Sequence, residues 1–445
     1  MPASCHTTAD LTCTDDGEAA PMTELQRWNV GARKIPYVDR DVAHAVITPD
    51  DPRGYRDLIR SDDDTVPDGT DTTYSVLLTE EEAERFAQAS NARFVEADQA
   101  YAVPEPVEVV ELGPSAASAV IPEHDVMVWL GADKPPADGT DVIVAVIDGG
   151  TTRAVRDAMG FQLVARRNFS GEIVPDDNTI TTDHGCLAGA LAVPRGGQLV
   201  DAIVFDRNGS ATWSGSAAAM RWCVDQGAQV LNYSAGGDTD SNTMRDALQY
   251  VADRGAVAVI SAGNGGRADY LSHPARLSEQ IRAVKSSIAF TFDRMRASFS
   301  DHKATGSGCA PGERVLTLGA DGLPRRASGT SFSSPLMAQL IALAFAATGG
   351  RHPVLEVAEA LERTALDTAE PDAEEGAGAW NLDAALATLA PAPPAPLFYS
   401  SRRGRTFHRL TDGKRVHRWV RRHQDFFTRQ EALDAGLRPC GWCRP

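Results

Sequence analysis

Residues 142–147 form an unbroken apolar run rich in β-branched side chains, with no polar alternation. Such a run predicts a short strand buried on both faces, as in a parallel sheet covered by helices. Residues 256–260 repeat the pattern and run into a glycine turn at Gly263 and Gly265. Residues 336–347 are apolar except for Gln339 and predict a long core helix. Nearer the start, residues 73–78 and 91–99 predict two strands. Between them the stretch from Thr79 to Glu82 is a capping box that opens a helix through residue 89. The fold class predicted is α/β: a three-layer domain with a mainly parallel sheet, preceded by a small α+β segment and followed by a small module.

Composition marks out the boundaries. Residues 104–121 are rich in Pro, Glu and Ala and read as an exposed linker, and residues 391–396 are a Pro-rich spacer. The expected organisation is a disordered leader (1–32), an α+β segment (33–103), a linker (104–121), the main domain (122–390), a spacer (391–396) and a terminal module (397–445). The net charge of −18 argues against a surface that binds nucleic acid throughout. The last 49 residues carry twelve Lys and Arg against four Asp and Glu, which leaves −26 on the rest. Seven cysteines, an odd number without regular spacing, do not make a disulfide framework. The first 22 residues hold no apolar run of signal-peptide length, so a cytoplasmic setting is expected, with export by another route left open. The apolar stretch at 335–347 is too short to span a membrane.

Candidate chemistry gathers at four stretches. Ser331 stands just ahead of the predicted core helix, where unsatisfied N–H groups can hold a developing oxyanion, and Pro335 suits a first helical turn. Asp148 ends the 142–147 strand, the place where open α/β sheets carry their sites. His184 precedes a run of small residues suited to a tightly packed helix. Asn264 sits in the glycine turn after the second buried run. Each residue alone has a structural reading: a capping Asp, a satisfied His, a turn Asn, a helix-start Ser.

Taken together, the stretches around Asp148, His184 and Ser331, in that order, resemble the subtilisin-like serine proteases. The resemblance runs from about residue 128 to 390. It implies a subtilisin-like domain that hydrolyses peptide bonds, with Ser331 as nucleophile, His184 as general base, Asp148 as its orienting partner and Asn264 as an oxyanion donor. It further implies that a peptide or protein substrate adds as a strand beside Ser234, Ala235 and Gly236. No cofactor is expected for catalysis, and the sequence shows no convincing calcium loop. Gly149 and Cys186 depart from the family pattern, which places Thr or Ser after the Asp and Thr after His-Gly. Asp269, after the Asn264 turn, is either a pocket acid favouring basic residues or an exposed loop acid.

The α+β segment, ending in Val95, Glu96 and Asp98, resembles the propeptides of this family. That implies a self-processing zymogen inhibited by its own N-terminal part. The ending with Cys440 and Cys443 resembles small metal-binding modules of Ada-like DNA-repair proteins. A structural Zn²⁺ held by His408, His417, Cys440 and Cys443 is the expectation there. The module's basic charge allows a nucleic-acid or a protein partner. Two rival readings stand beside the protease: a non-catalytic peptide-binding relative, and a protease targeted to nucleic acid by the terminal module.

Overall fold

The computed structural model describes residues 142–389 apart from 172–175, 177 and 369, together with 123–132. It also describes 26–32, 45–47, 72–78, 80–87, 92–102 and 106–112, and, near the end, 398–401, 406–411, 414–415, 423–426, 432–433 and 435–439. These fall into two units, divided between Thr388 and Leu389.

The first unit opens with an antiparallel sheet of β1 (Gln26–Ala32), β2 (Ala45–Ile47), β3 (Thr72–Leu78) and β4 (Ala92–Ala97), ordered β2-β3-β1-β4. Helix α1 (Glu80–Ala87) joins β3 to β4, as the capping box predicts. β1 falls inside the stretch expected to be a disordered leader. Its period-two placing of Trp28, Val30 and Ala32 suits the central strand it becomes. Two short strands follow, β5 (Ala100–Ala102) and β6 (Glu108–Glu111). β6 corrects the linker reading, because its backbone pairs with a strand of the main domain, introduced below as β16.

The main domain begins with α2 (Glu123–Trp129) and β7 (Ile143–Asp148). It continues through α3 (Arg153–Met159), β8 (Gln162–Asn168), α4 (His184–Ala192), β9 (Gln198–Ile203), β10 (Ser210–Thr212) and α5 (Trp213–Asp225). Next come β11 (Val230–Tyr233), α6 (Asn242–Asp253), β12 (Val257–Ser261), β13 (Val284–Phe290) and β14 (Cys309–Pro311). A hairpin of β15 (Val315–Leu318) and β16 (Pro324–Ser328) leads into α7 (Thr330–Ala347), followed by α8 (Val354–Arg363), α9 (Asp372–Glu375) and α10 (Leu382–Thr388). Seven parallel strands form one sheet in the order β14-β13-β12-β11-β7-β9-β8. The interior of β7, Val144 to Ile147, and the whole of β12 are buried, as their continuous apolar runs require. The carboxyl ends of β7, β11 and β12 bring Asp148, Ser234 and the turn at Asn264 to one edge of the sheet.

Helix α7 starts earlier than expected. Ser331 lies in its first turn rather than ahead of it, and Pro335 is inside the helix. Proline lacks the N–H that would bond the carbonyl four residues back. Ser234 Oγ donates to that freed Ser331 carbonyl instead, at 3.0 Å. By length and composition α7 passes for a membrane span, but 83% of it is buried in the domain, so it is a core helix.

The second unit is a small sheet of β17 (Phe398–Ser401), β18 (Thr406–Thr411), β19 (Lys414–Arg415) and β20 (His423–Phe426), ordered β19-β18-β17-β20. β21 (Arg438–Pro439) pairs in parallel with β18. Ala432 is buried there, packed by Leu433 and Leu437.

Candidate active site

Asp148 ends β7 fully buried, and the Gly149 N–H donates to its Oδ1 at 2.7 Å. His184 begins α4, and that helix sits directly on the turn after Asp148. A Cβ at Gly185 would lie 2.5 Å from the Gly150 carbonyl oxygen, so only glycine permits the approach. The closeness delivers His184 Nδ1 to Asp148 Oδ2 at 2.8 Å. A carboxylate only accepts, so Nδ1 carries the proton and Nε2 is left as the free base. Nε2 is buried and has no hydrogen-bond partner.

The glycine at 149 has a local cause. A Cβ there would meet Thr182 Oγ1 at 2.1 Å, so Thr182, two residues before His184, already fills the space of a side chain at 149. The turn is braced from beneath. Buried Asp201 accepts from the Thr151 N–H at 3.0 Å and from its hydroxyl at 2.8 Å, and Arg166 donates to Asp201 at 2.9 Å and to the Thr151 carbonyl at 2.6 Å. Burial pushes the Asp201 carboxyl above its ordinary range while Arg166 pulls it back.

Ser331 is buried in the first turn of α7, where its own N–H has no carbonyl four residues back within the helix. The ring of the next residue, Phe332, lies 5.8 Å from the His184 ring. Ser331 Oγ is turned to the Ser234 carbonyl at 3.3 Å rather than to His184 Nε2. Catalytic hydrogen bonds are often long before substrate arrives. Asn264 Oδ1 accepts from the Thr330 N–H at 2.9 Å and the Thr330 hydroxyl at 2.8 Å. This fixes the amide so that Nδ2, enclosed and without a partner, stands beside the start of α7. Asn264 is not among the described residues with positive φ, so a left-handed turn does not explain it.

Ser234, Ala235 and Gly236 follow β11 in the same site. The Ser234 hydroxyl is committed inward, accepting from Asn232 Nδ2 at 2.9 Å and donating to Ser331 O. Asp269 is an exposed loop acid with φ 52, and the neighbouring Arg267 pairs with buried Asp301 at 2.7 Å and with Asp238 at 2.8 Å. Cys186, Cys223 and Cys309 are buried and free, and burial pushes the Cys186 thiol up to about 12.

The N-terminal module reaches this edge through polar contacts. Glu96 accepts from Ser241 Oγ at 2.8 Å and from the Asn242 and Thr243 N–H groups, both at 2.9 Å, at the start of α6. Asp98 accepts from the Ser214 N–H at 3.0 Å and from its hydroxyl, at the start of α5. Two carboxylates thus cap two helix N-termini, where dipole and orphan N–H groups favour negative charge. β5 then pairs antiparallel with β10, an edge that sequence reasoning missed. Beyond residues 103–105, which lie outside the described set, the Val107 N–H donates to the Ser328 carbonyl at 2.8 Å. Ser328 is three residues before Ser331.

Of the expected zinc ligands, His417, Cys440 and Cys443 lie outside the described residues, and for His408 only the backbone, in β18, is described. Among the described residues no cluster of His, Cys, Asp and Glu suits a metal ion.

The subtilase family model matches residues 139–378. Similar curated proteins include the thermophilic serine proteinase of Bacillus sp. (strain AK1), 37% identical over 36% of this chain and 38% of its own length. Fervidolysin of Fervidobacterium pennivorans is 28% identical over 56% of this chain and 41% of its own length. Thermitase of Thermoactinomyces vulgaris is 28% identical over 52% of this chain and 82% of its own length. The chain therefore spans well under half the length of the first two. The crystal structure of fervidolysin, described as a keratinolytic enzyme related to subtilisin, is similar with a TM-score of 0.65 at 21% identity, over 87% of this chain and 64% of that one.

Proposed function

This chain belongs to the subtilase family, and from that premise we propose that it is a serine endopeptidase made as a self-processing zymogen. The observation that carries the reading is the convergence of a paired Asp148–His184, a free His184 Nε2 and an unpartnered Asn264 amide on the helix start that holds Ser331. In the proposed reaction Ser331 Oγ rotates from the Ser234 carbonyl to His184 Nε2 and attacks the scissile carbonyl. His184 takes the proton and returns it to the leaving amine, while Asp148 holds the imidazole in its tautomer and stabilises its charged form. The Ser331 N–H and Asn264 Nδ2 receive the oxyanion. Water then releases the acyl group by the same route.

The zymogen reading draws on the N-terminal module. β5 occupies the β10 edge as an added strand, the mode in which extended peptides bind sheets. Val107, five residues after Ala102, bonds to Ser328, beside the helix that holds Ser331. We place the self-cleavage between Ala102 and Val107. A serine-directed fluorophosphonate tests the reading. Stoichiometric labelling that Ser331→Ala abolishes is expected, together with hydrolysis of an unfolded protein substrate. Refusal of the label by the wild type would favour the non-catalytic peptide-binding relative.

A structural Zn²⁺ in the second unit is a separate proposal, favoured by one register. Phe407, the residue before His408 in the sequence, pairs with Pro439, the residue before Cys440, across parallel β18 and β21. One equivalent of zinc in the purified chain, lost on Cys440→Ser, is the expected outcome of elemental analysis.

A further inference from the structure

Tyr101 is the aromatic residue of β5, and its ring lies flat on Trp213, with centroids 4.0 Å apart and planes 18° from parallel. Phe205 meets the ring edge-on at 6.1 Å. These contacts would suit any aromatic side chain. The far end of the pocket is different. The Tyr101 hydroxyl hydrogen-bonds to Ser216 Oγ and to the Tyr233 hydroxyl. Ser216, on α5, and Tyr233, at the end of β11, are fully buried. Burial raises the phenols of Tyr101 and Tyr233 above their ordinary values, so both stay protonated and can donate. The floor of an otherwise aromatic slot is therefore a pair of hydroxyls that Tyr101 completes.

Resting on the proteolytic reading above, we propose that Ser216 and Tyr233 are specificity-determining residues that read a phenol. The cleft takes tyrosine, in preference to phenylalanine or an aliphatic residue, at the substrate position that Tyr101 fills. The reason is an asymmetry of cost. Phenylalanine would stack on Trp213 equally well but would leave Ser216 and Tyr233 bonded only to each other, with the capacity they turn toward the phenol unmet and closed to water. A site built to bond a hydroxyl rejects the analogue lacking it far more strongly than an apolar pocket rejects an extra one. An aliphatic residue would lose the stacking as well. One unmet buried polar group is enough for discrimination of about tenfold or more. Tyr101 stands next to the expected substrate edge, because its hydroxyl meets Tyr233, the residue before Ser234, while β5 lies antiparallel on β10 with Tyr101 opposite Ala211.

Two measurements decide it. The first is kcat/KM of the self-processed chain on quenched peptides copying residues 96–111, with Tyr, Phe or Leu at the position of Tyr101. Tyrosine is expected to lead phenylalanine by about tenfold or more, with leucine lower still. In Tyr233→Phe, and separately in Ser216→Ala, the Tyr-to-Phe ratio falls toward one. Equal rates for the two peptides, or a ratio unmoved in both variants, overturns the proposal.

The second measurement does not need catalysis. In full-length Ser331→Ala, hydrogen-exchange protection of the amides at 99–102 is compared for Tyr101→Phe, Tyr233→Phe and the pair. One shared contact predicts that each single change lowers protection about tenfold and the pair by no more than either alone. Additive losses, or none, overturn phenol recognition. If no peptide is cut and Ser331 refuses the fluorophosphonate, the proteolytic reading fails by itself. The exchange cycle then still decides whether the phenol is read.

Discussion

The parallel-sheet domain and the N-terminal module meet at one edge but are held together in different ways. Inside the domain the groups proposed to react are enclosed by burial: Asp148, Ser331 and His184 are at most 5% exposed, and α4 approaches Asp148 through a glycine contact that admits no side chain. The module is held by two half-buried carboxylates on helix N-termini, a three-residue strand and one stacked ring. The first arrangement rests on close packing and the second on a few separable contacts. The catalytic frame and the removable inhibitor proposed above would call for that contrast.

The comparison breaks first at the frame. Asn264→Ala should lower kcat by about 10²–10³-fold, as expected for one oxyanion donor. Asn264→Asp should lose as much while keeping the carboxylate as an acceptor for Thr330. Steady-state kinetics with circular dichroism separates this loss from misfolding. If Asn264→Asp retains full kcat, the amide is not a donor.

The module's hold is the softer test. Glu96→Gln with Asp98→Asn should weaken docking about tenfold, because charged hydrogen bonds contribute more than neutral ones but these are half-exposed. The interval between the self-cut and full activity should shorten to match. An unchanged interval would mean that the ring and strand alone retain the module.

A last effect concerns acid sensitivity and leaves the rate at neutral pH untouched. His273 is buried, accepts at Nε2 from the Ser241 N–H at 3.2 Å, and faces Asp240 at 3.2 Å. Burial lowers its pKa to about 4 from an ordinary 6.5, with Asp240 opposing. Between these values the unfolded chain binds the proton and the folded chain does not. Stability therefore falls as pH drops from about 6.5 toward 4. In the Ser331→Ala background, His273→Gln should flatten that part of the Tm-against-pH curve. Equal slopes would show that other groups govern acid sensitivity.

Sequence reading was strongest where the determinants are local. The runs that became β7 and β12 carry their own burial signal, and Asp148, His184, Asn264 and Ser331 stand at their ends or at helix starts. The start of α7 was misread because Pro335 suggests a first turn, and nothing local reveals that Ser234 serves the carbonyl it frees. β1 was lost to the leader because its partners, β3 and β4, lie some 40 to 70 residues on. β6 was hidden by a Pro- and Glu-rich composition and owes its strand to pairing with β16. The phenol pocket was out of reach for the same reason. Tyr101 meets Ser216 and Tyr233 across 115 and 132 residues, a closeness only the fold creates.

The central claim is that Ser331 cuts this chain between Ala102 and Val107 and so frees the site from its own N-terminal part. Intact-mass spectrometry of purified wild type and Ser331→Ala, each incubated at neutral pH, tests it most directly. The account predicts a wild type cut into two fragments that meet within that interval and a mutant that stays whole. A wild type that stays whole, or a mutant cut at the same place in the same time, would contradict it.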